Sequence, residues 1–427
     1  MRILIFIISL LLTTNAYAMK QIVFSGSQNP LNPSATEYNY IHTRSAPTWN
    51  ATESNRIMMC PGTGTLHSLQ VKMSAAPGSD GTYTFTIRKN QAATSLAAAV
   101  IHPATTGSDF ANEISISAGD EISIEVVPTN GPGPATPFAA WTFIYQDDDE
   151  DEFVLFAGDT DSNMGNTAII SNTMQGGANW TAAVPVRTLA FNVLSALDGD
   201  FKNLYIEIGA APGAFSSWTF EPRVEGSTGT LQVVISGASA TTGNDTANTD
   251  SVSASDKFDI RNTPSRTAPV NTWAIWGSVF QSDDPYSHII TGGSSNALHN
   301  TNTEYNFLAT FGTAWNATET NRRNAGQPSV LSNLYVEGGG SPGAGNSYAF
   351  TVMKNGAATG LTCTMSGTGT TCSDTDKSHS VEVDDLDTFS LRVVPTSTPS
   401  TIGVAWGLAV RDIAPFPQSM GQMGMGI

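Results

Sequence analysis

The side chains in this chain that could do chemistry are numerous but scattered. Its six histidines are His42, His67, His102, His288, His299 and His379, and no two stand at a metal-ligand spacing. There is no H-E-x-x-H, the two-histidine helix that holds a catalytic zinc. Serine is abundant, yet the G-x-S-x-G elbow of a serine nucleophile is absent. A glycosidase would need two carboxylates facing each other across a groove. Asp and Glu are plentiful enough to supply a pair, but no part of the chain carries a groove-forming insertion. The residues therefore read as non-enzymatic, with no catalytic or cofactor-binding set.

Calcium is the ion that the sequence suits best. Gly158 to Asn163 (GDTDSN) and Asp384 to Asp387 (DDLD) cluster the oxygens that a hard cation needs. Neither run fits an EF-hand, and solvation of a polar turn explains both more simply. Of three cysteines, Cys363 and Cys372 flank a Gly/Ser-rich turn that lets them face each other, which predicts a local disulfide in an oxidising compartment. Cys60 is left over, either as a buried thiol or as a bond between molecules. Trp49, Trp180 and Trp315 sit in polar, Asn-rich surroundings, where an exposed indole could stack on a sugar ring. Anchoring a long loop onto a core is the competing role.

The elements that would position these residues are written three times. A tryptophan strand recurs at Trp141 (AAWTFIY), Trp276 (AIWGSVF) and Trp406 (VAWGLAV). A turn recurs at Pro77-Gly78, Pro212-Gly213 and Pro342-Gly343, and a strand phenylalanine at Phe85, Phe220 and Phe350. All three landmarks step by 135 and then 130 residues. A period this long means tandem globular units rather than a solenoid, whose repeats run about 20–50 residues. Stretches such as TYTFTIRKN and SYAFTVMKNG alternate apolar and polar residues, which marks half-buried strands. About eight short strands per unit, punctuated by Gly, Pro, Asn and Asp, predict an all-β chain of three jelly-roll-like β-sandwiches. An immunoglobulin-like sandwich is the alternative, although its Cys-Trp-Cys pattern is missing.

The units are expected at 19–146, 153–282 and 283–413. The acidic run Asp147 to Glu152 reads as an extended, solvated linker between the first two. Residues 414–427, rich in Gly and Met, form a tail that is either disordered or docks on a neighbouring subunit.

Residues 1–18 have the three parts of a secretory signal: Arg2, the apolar run Ile3 to Leu12, and a small-x-small site that places cleavage after Ala18. No later apolar run is long enough to span a bilayer, so the mature chain is expected outside the cell without membrane insertion. A net charge of −18 opposes binding to nucleic acid.

The third unit resembles an uncharacterised β-sandwich repeat of surface proteins from environmental bacteria and tailed phages. The pattern is a leucine strand (Leu334), a P-G turn (Pro342-Gly343), an aromatic strand ending in K-N-G (Phe350, Lys354-Asn355-Gly356), a T-G-S-D turn (Cys372-Ser373-Asp374) and a V-V-P strand (Val393-Val394-Pro395). The first unit matches at Arg88-Lys89-Asn90 and Gly107-Ser108-Asp109, whereas the second has Arg223-Val224-Glu225. The resemblance implies a sandwich on a cell or virion surface and carries no catalytic or ligand residue. Two functions are expected from these features. One is a structural subunit of an extracellular assembly, such as a surface layer, filament or virion appendage, that self-associates through strand edges and the tail. The other is a carbohydrate-binding adhesin with up to three weak glycan sites at the tryptophans.

Overall fold

The computed structural model describes residues 20–412, apart from 28, 43–47, 134–135, 148–151, 160–161, 175–179, 183–192, 285, 295 and 312. The predicted signal segment with Ala18, and the tail at 414–427, lie outside the described residues. No α-helix occurs among those described.

The first unit contains β1 (Lys20–Gly26), β2 (Glu37–Asn39), β3 (Met58–Met59), β4 (Gly64–Met73), β5 (Thr82–Lys89), β6 (Ala92–Ile101), β7 (Thr106–Ile116), β8 (Glu121–Thr129) and β9 (Ala139–Asp147). The second contains β10 (Glu152–Asp159), β11 (Ile170–Thr173), β12 (Thr181–Ala182), β13 (Val193–Leu194), β14 (Gly199–Ile208), β15 (Gly213–Val224), β16 (Ser227–Thr228), β17 (Val233–Gly237), β18 (Thr242–Asp245), β19 (Asp250–Val252), β20 (Lys257–Pro264) and β21 (Ala274–Ser282). The third contains β22 (Ser287–Ser294), β23 (Glu304–Asn306), β24 (Thr310–Phe311), β25 (Asn324–Ala325), β26 (Ser329–Gly338), β27 (Gly343–Lys354), β28 (Ala357–Gly367), β29 (Thr371–Asp374), β30 (Val381–Val383), β31 (Thr388–Thr396) and β32 (Val404–Asp412).

One strand order repeats three times. The sheet β1-β9-β4-β7 faces β3-β8-β5-β6; β10-β21-β14-β18 faces β13-β20-β15-β17; and β22-β32-β26-β29 faces β25-β31-β27-β28. All these pairings are antiparallel. The sequence sets the pleat. In β28, Leu361, Cys363 and Met365 point inward and the residues between them are exposed. The central strand of each first sheet carries a bulge at the same place, and Ser68, Asn203 and Asn333 there take φ of 56, 51 and 52°. Asparagine tolerates the left-handed region better than most side chains, which accounts for the recurring polar residue before Leu69, Leu204 and Leu334.

The acidic run is not an extended linker along its whole length. Asp147 ends β9, paired with Gly64 and only 4% exposed, and Glu152 opens β10 opposite Gln281. Its two ends lie in different strands because each unit starts with the strand that pairs with its own last one. Residues 148–151 lie outside the described residues.

The units close into a ring within one chain. In the first unit β3 packs on β10, β14 and β21 of the second; β13 packs on β22, β26 and β32 of the third; and β25 packs on β1, β4 and β9 of the first. Each apolar core extends into the next unit accordingly. The first core includes Val154, Phe156 and Val279, the second includes Ile289 and Ala409, and the third includes Ile22 and Phe24. Head-to-tail contacts that return to their start after three steps make a closed ring.

Candidate functional site

The six repeated tryptophans form three packed pairs with tilted rings. Trp141, Trp276 and Trp406 are fully buried, and their indole N–H groups donate to the Ile41, Met174 and Leu308 carbonyls at 3.1, 2.8 and 2.7 Å. Their partners are Trp49, Trp180 and Trp315, with ring centroids 5.5, 5.2 and 5.6 Å apart. Trp49 and Trp315 are 8% exposed and Trp180 is half-buried. The expectation that these residues stack on sugars is corrected for Trp49 and Trp315, because both indoles are buried against the inner tryptophan and leave no open ring face for a pyranose. Both anchor their Asn-rich loop. In the next turn of that loop, buried Arg56 and Arg322 donate Nε to the Thr48 and Ala314 carbonyls at 2.8 and 2.9 Å.

The other repeated motifs are likewise used in the fold. Lys-Asn-Gln at 89–91 and Lys-Asn-Gly at 354–356 are the β5–β6 and β27–β28 hairpin turns, with φ of 50° at Asn90 and 52° at Asn355, as a tight primed turn requires. Their lysines and asparagines hold the loop before the facing strand. Lys89 and Asn90 bind Asp120 at 2.8 and 2.7 Å, and Lys354 binds Asp387 at 2.7 Å. Asp387 also accepts from Asn355 and from the Asp384 N–H, and Asp385 from Gln70, so of the three carboxylates considered for calcium these two are engaged within the chain while Asp384 is 86% exposed. Among the described residues no three acidic, His or Cys groups are placed to hold a metal ion. The GDTDSN run falls partly outside them.

The T-G-S-D aspartate caps an edge strand. Asp109 accepts from the N–H groups of Ala97, Ala111 and Asn112, and Asp245 from those of Gln232, Ala247 and Asn248. Asp374 accepts from the Thr362 N–H, and His379 takes the place of Asn112 and Asn248 at 3.0 Å. Burial by itself would raise the Asp109 and Asp245 carboxyls; the bonds from Ala97 or Gln232 and from the asparagine outweigh it and hold both below the ordinary carboxylate range. A depressed folded pKa stabilises above the unfolded value, about 4, and that contribution is lost as pH falls below it. Asp109→Asn with Asp245→Asn should therefore flatten the fall of the unfolding midpoint between about pH 4 and pH 2. A curve as steep as that of the parent chain would contradict this assignment.

Cys363 and Cys372 form a disulfide across the β28–β29 corner, with Cα atoms 5.7 Å apart. Cys60 is fully buried in the first core, where its Sγ bonds the Gly62 carbonyl at 3.3 Å and burial pushes the thiol pKa up.

Near the ring axis, three different residues occupy one repeated position: Gln21, Phe153 and His288. The Gln21 amide donates to the Val154 carbonyl and accepts from the Val154 N–H, at 2.8 and 2.7 Å. The Ile22 N–H donates to His288 Nε2 at 3.2 Å, and Phe153 packs against the imidazole with centroids 5.3 Å apart. Side chains from the neighbouring unit thus satisfy backbone groups on the outer edges of β1 and β10, which are unavailable there for another strand. Burial drives the His288 pKa down to about 3, so the ring is neutral and accepts the Ile22 N–H. The unfolded imidazole protonates near pH 6.5, so stability present above that pH falls as pH drops toward 3. His288→Gln, which copies Gln21, should reduce that loss between pH 6.5 and 4 as measured by denaturant midpoints. An unchanged slope would refute the role.

The three interfaces differ most in charge. Lys72, Glu207 and Glu337 are equivalent, each opposite the second residue of its tryptophan strand (Ala140, Ile275, Ala405). The equivalent residues that face them from the preceding unit are Thr388, Glu121 and Lys257. Between units two and three Lys257 pairs with Glu337 at 3.1 Å. Between units one and two, burial and then the charge of Glu121 raise the Glu207 carboxyl above its ordinary value. Between units three and one, Lys72 and Thr388 line a cleft of about 260 Å³. This break in the pattern was readable in the sequence, five residues beyond His67, once the repeats are aligned by their steps.

A scan against protein-family models finds no match, and a search of curated proteins finds none either. The chain is an all-β protein of antiparallel sheets, and among its described residues no helix is long and apolar enough to cross a membrane.

Proposed function

We propose that this protein is a non-enzymatic structural subunit of an extracellular assembly, a three-lobed block built as one chain. The observation that carries this reading is that the repeated motif residues traced above serve the fold. The tryptophan pairs, the K-N-G clamps and the aspartate caps pack, turn or cap strands, and none converges with another reactive group in a cleft. The secretory segment and the resemblance to surface repeats of environmental bacteria and tailed phages support an extracellular place.

Strand-edge pairing is an unsuitable joint at the axis, where Gln21 and His288 cap the edges, and the aspartates cap N–H groups on β6 and β28. Self-association is therefore assigned chiefly to residues 414–427, whose methionines are adaptable apolar contacts. Light scattering of the mature chain should show species heavier than one chain, and deletion of 414–427 should reduce them to single chains. A parent chain that is strictly monomeric, with and without calcium, would refute the reading.

A further inference from the structure

We propose that the cleft between the third and first units binds the carboxylate of an acidic sugar. The argument starts from the other two interfaces. At one of them a lysine meets a carboxylate supplied by the protein, Lys257 on Glu337. At the cleft the lysine has moved to the opposite side, as Lys72 on β4, and Thr388 stands where a carboxylate would complete the pair. Among the described residues no hydrogen bond or ion pair reaches the Lys72 ammonium, in a chain of net charge −18. Arg323 of the third unit also lines the cleft, across from Lys72; its guanidinium gives Nε to Glu319 at 3.2 Å and keeps further N–H donors.

The rest of the cleft suits a hydroxylated ring. Ser74 and Thr105 bring hydroxyl groups that both donate and accept, and half-buried Phe138 offers an apolar face. A volume of about 260 Å³ lies just below the ~300–1,000 Å³ of sites for drug-sized ligands, a fit for a single sugar ring. The site does not depend on whether the chain assembles, and it replaces Trp49 and Trp315 as the place for a glycan.

The test is calorimetric titration of the full mature chain with glucuronate, glucose and acetate at low ionic strength. Glucuronate should saturate one site per chain, with glucose and acetate each at least about tenfold weaker, the worth of one charge-assisted hydrogen bond or more. Lys72→Gln should weaken glucuronate at least about tenfold with its unfolding midpoint kept. Thr388→Glu, which sets a carboxylate opposite Lys72, should block binding as a built-in competitor and leave the protein folded. A disaccharide ending in glucuronate that binds as well as the free acid would assign the site to a glycan end, and its exclusion would assign it to the free sugar acid. No saturable glucuronate binding, glucose or acetate binding as tightly, or an unaffected Lys72→Gln variant would overturn the proposal.

Discussion

Replacing Asp259 by serine alone is expected to destabilise the chain by about 3–5 kcal/mol, whereas the same change combined with Arg223→Met should recover most of that loss. Asp259 and Arg223 stand directly opposite on β20 and β15, each 4% exposed, and Arg223 Nε donates to Asp259 at 2.8 Å while Nη2 reaches Ser171 Oγ at 3.1 Å. Removing the carboxylate strands a buried guanidinium, and that uncompensated charge, rather than the lost attraction, dominates the cost. The third unit shows the neutral solution at the same position, where Met353 faces Ser390. The first keeps Arg88 but faces it with Ser123, and sends the guanidinium to Glu53 and Glu125 at 2.8 and 3.3 Å. Denaturant unfolding of the two single variants and the double variant measures the coupling. Additive losses would show that the pair is not the source of the effect.

The second large effect is expected where the units touch. Gly407→Thr should destabilise the contact between the second and third units by about 1–3 kcal/mol or more, as overpacking of a close contact does. A Cβ at Gly407 would fall on the carbonyl oxygen of Leu194 in β13. A neighbouring main chain cannot swing aside as a long side chain can. Gly277 is the equivalent residue at the first interface, where a Cβ would lie 2.9 Å from the Met59 carbonyl oxygen. At the third interface the position is Thr142, fully buried, so one joint of the ring has adapted to a side chain that the other two exclude. Gly407→Thr should lower the thermal midpoint and expand the molecule in solution. Thr142→Gly should leave the other two joints intact and cost less. A Gly407→Thr protein as stable and compact as the parent would contradict the close approach.

The strands were legible because they depend on local pattern. Period-two alternation identifies β27, and the steps of 135 and 130 place Trp141, Trp276 and Trp406 on equivalent strands. The role of the K-N-G and T-G-S-D motifs was not legible, because it rests on partners across a sheet, such as Lys89 with Asp120 or Asp109 with the Ala97 N–H. The tryptophans misled for a physical reason. Trp49 and Trp315 are surrounded in sequence by Asn, Thr and Ser, and the amides of Asn50 and Asn316 turn the loop while the indole goes inward. Ring closure left almost no sequence signal, since its contacts join residues far apart in the chain, such as Gln21 with Val154 and Lys257 with Glu337, and carbonyl oxygens over Gly277 and Gly407. The acidic run misled in a similar way, because like charges favour extension but pairing of Asp147 with Gly64 and Glu152 with Gln281 places its ends in strands.

The central claim, three sheet-built units closed on one another within a single chain, is tested most directly by small-angle scattering on the mature chain held monomeric by deletion of 414–427. A compact ring should give a radius of gyration near 22 Å, the value expected of one globule of about 400 residues. A string of three independent sandwiches, each near 14 Å by the same scaling, would extend to on the order of 30 Å, and that result would contradict the closed arrangement.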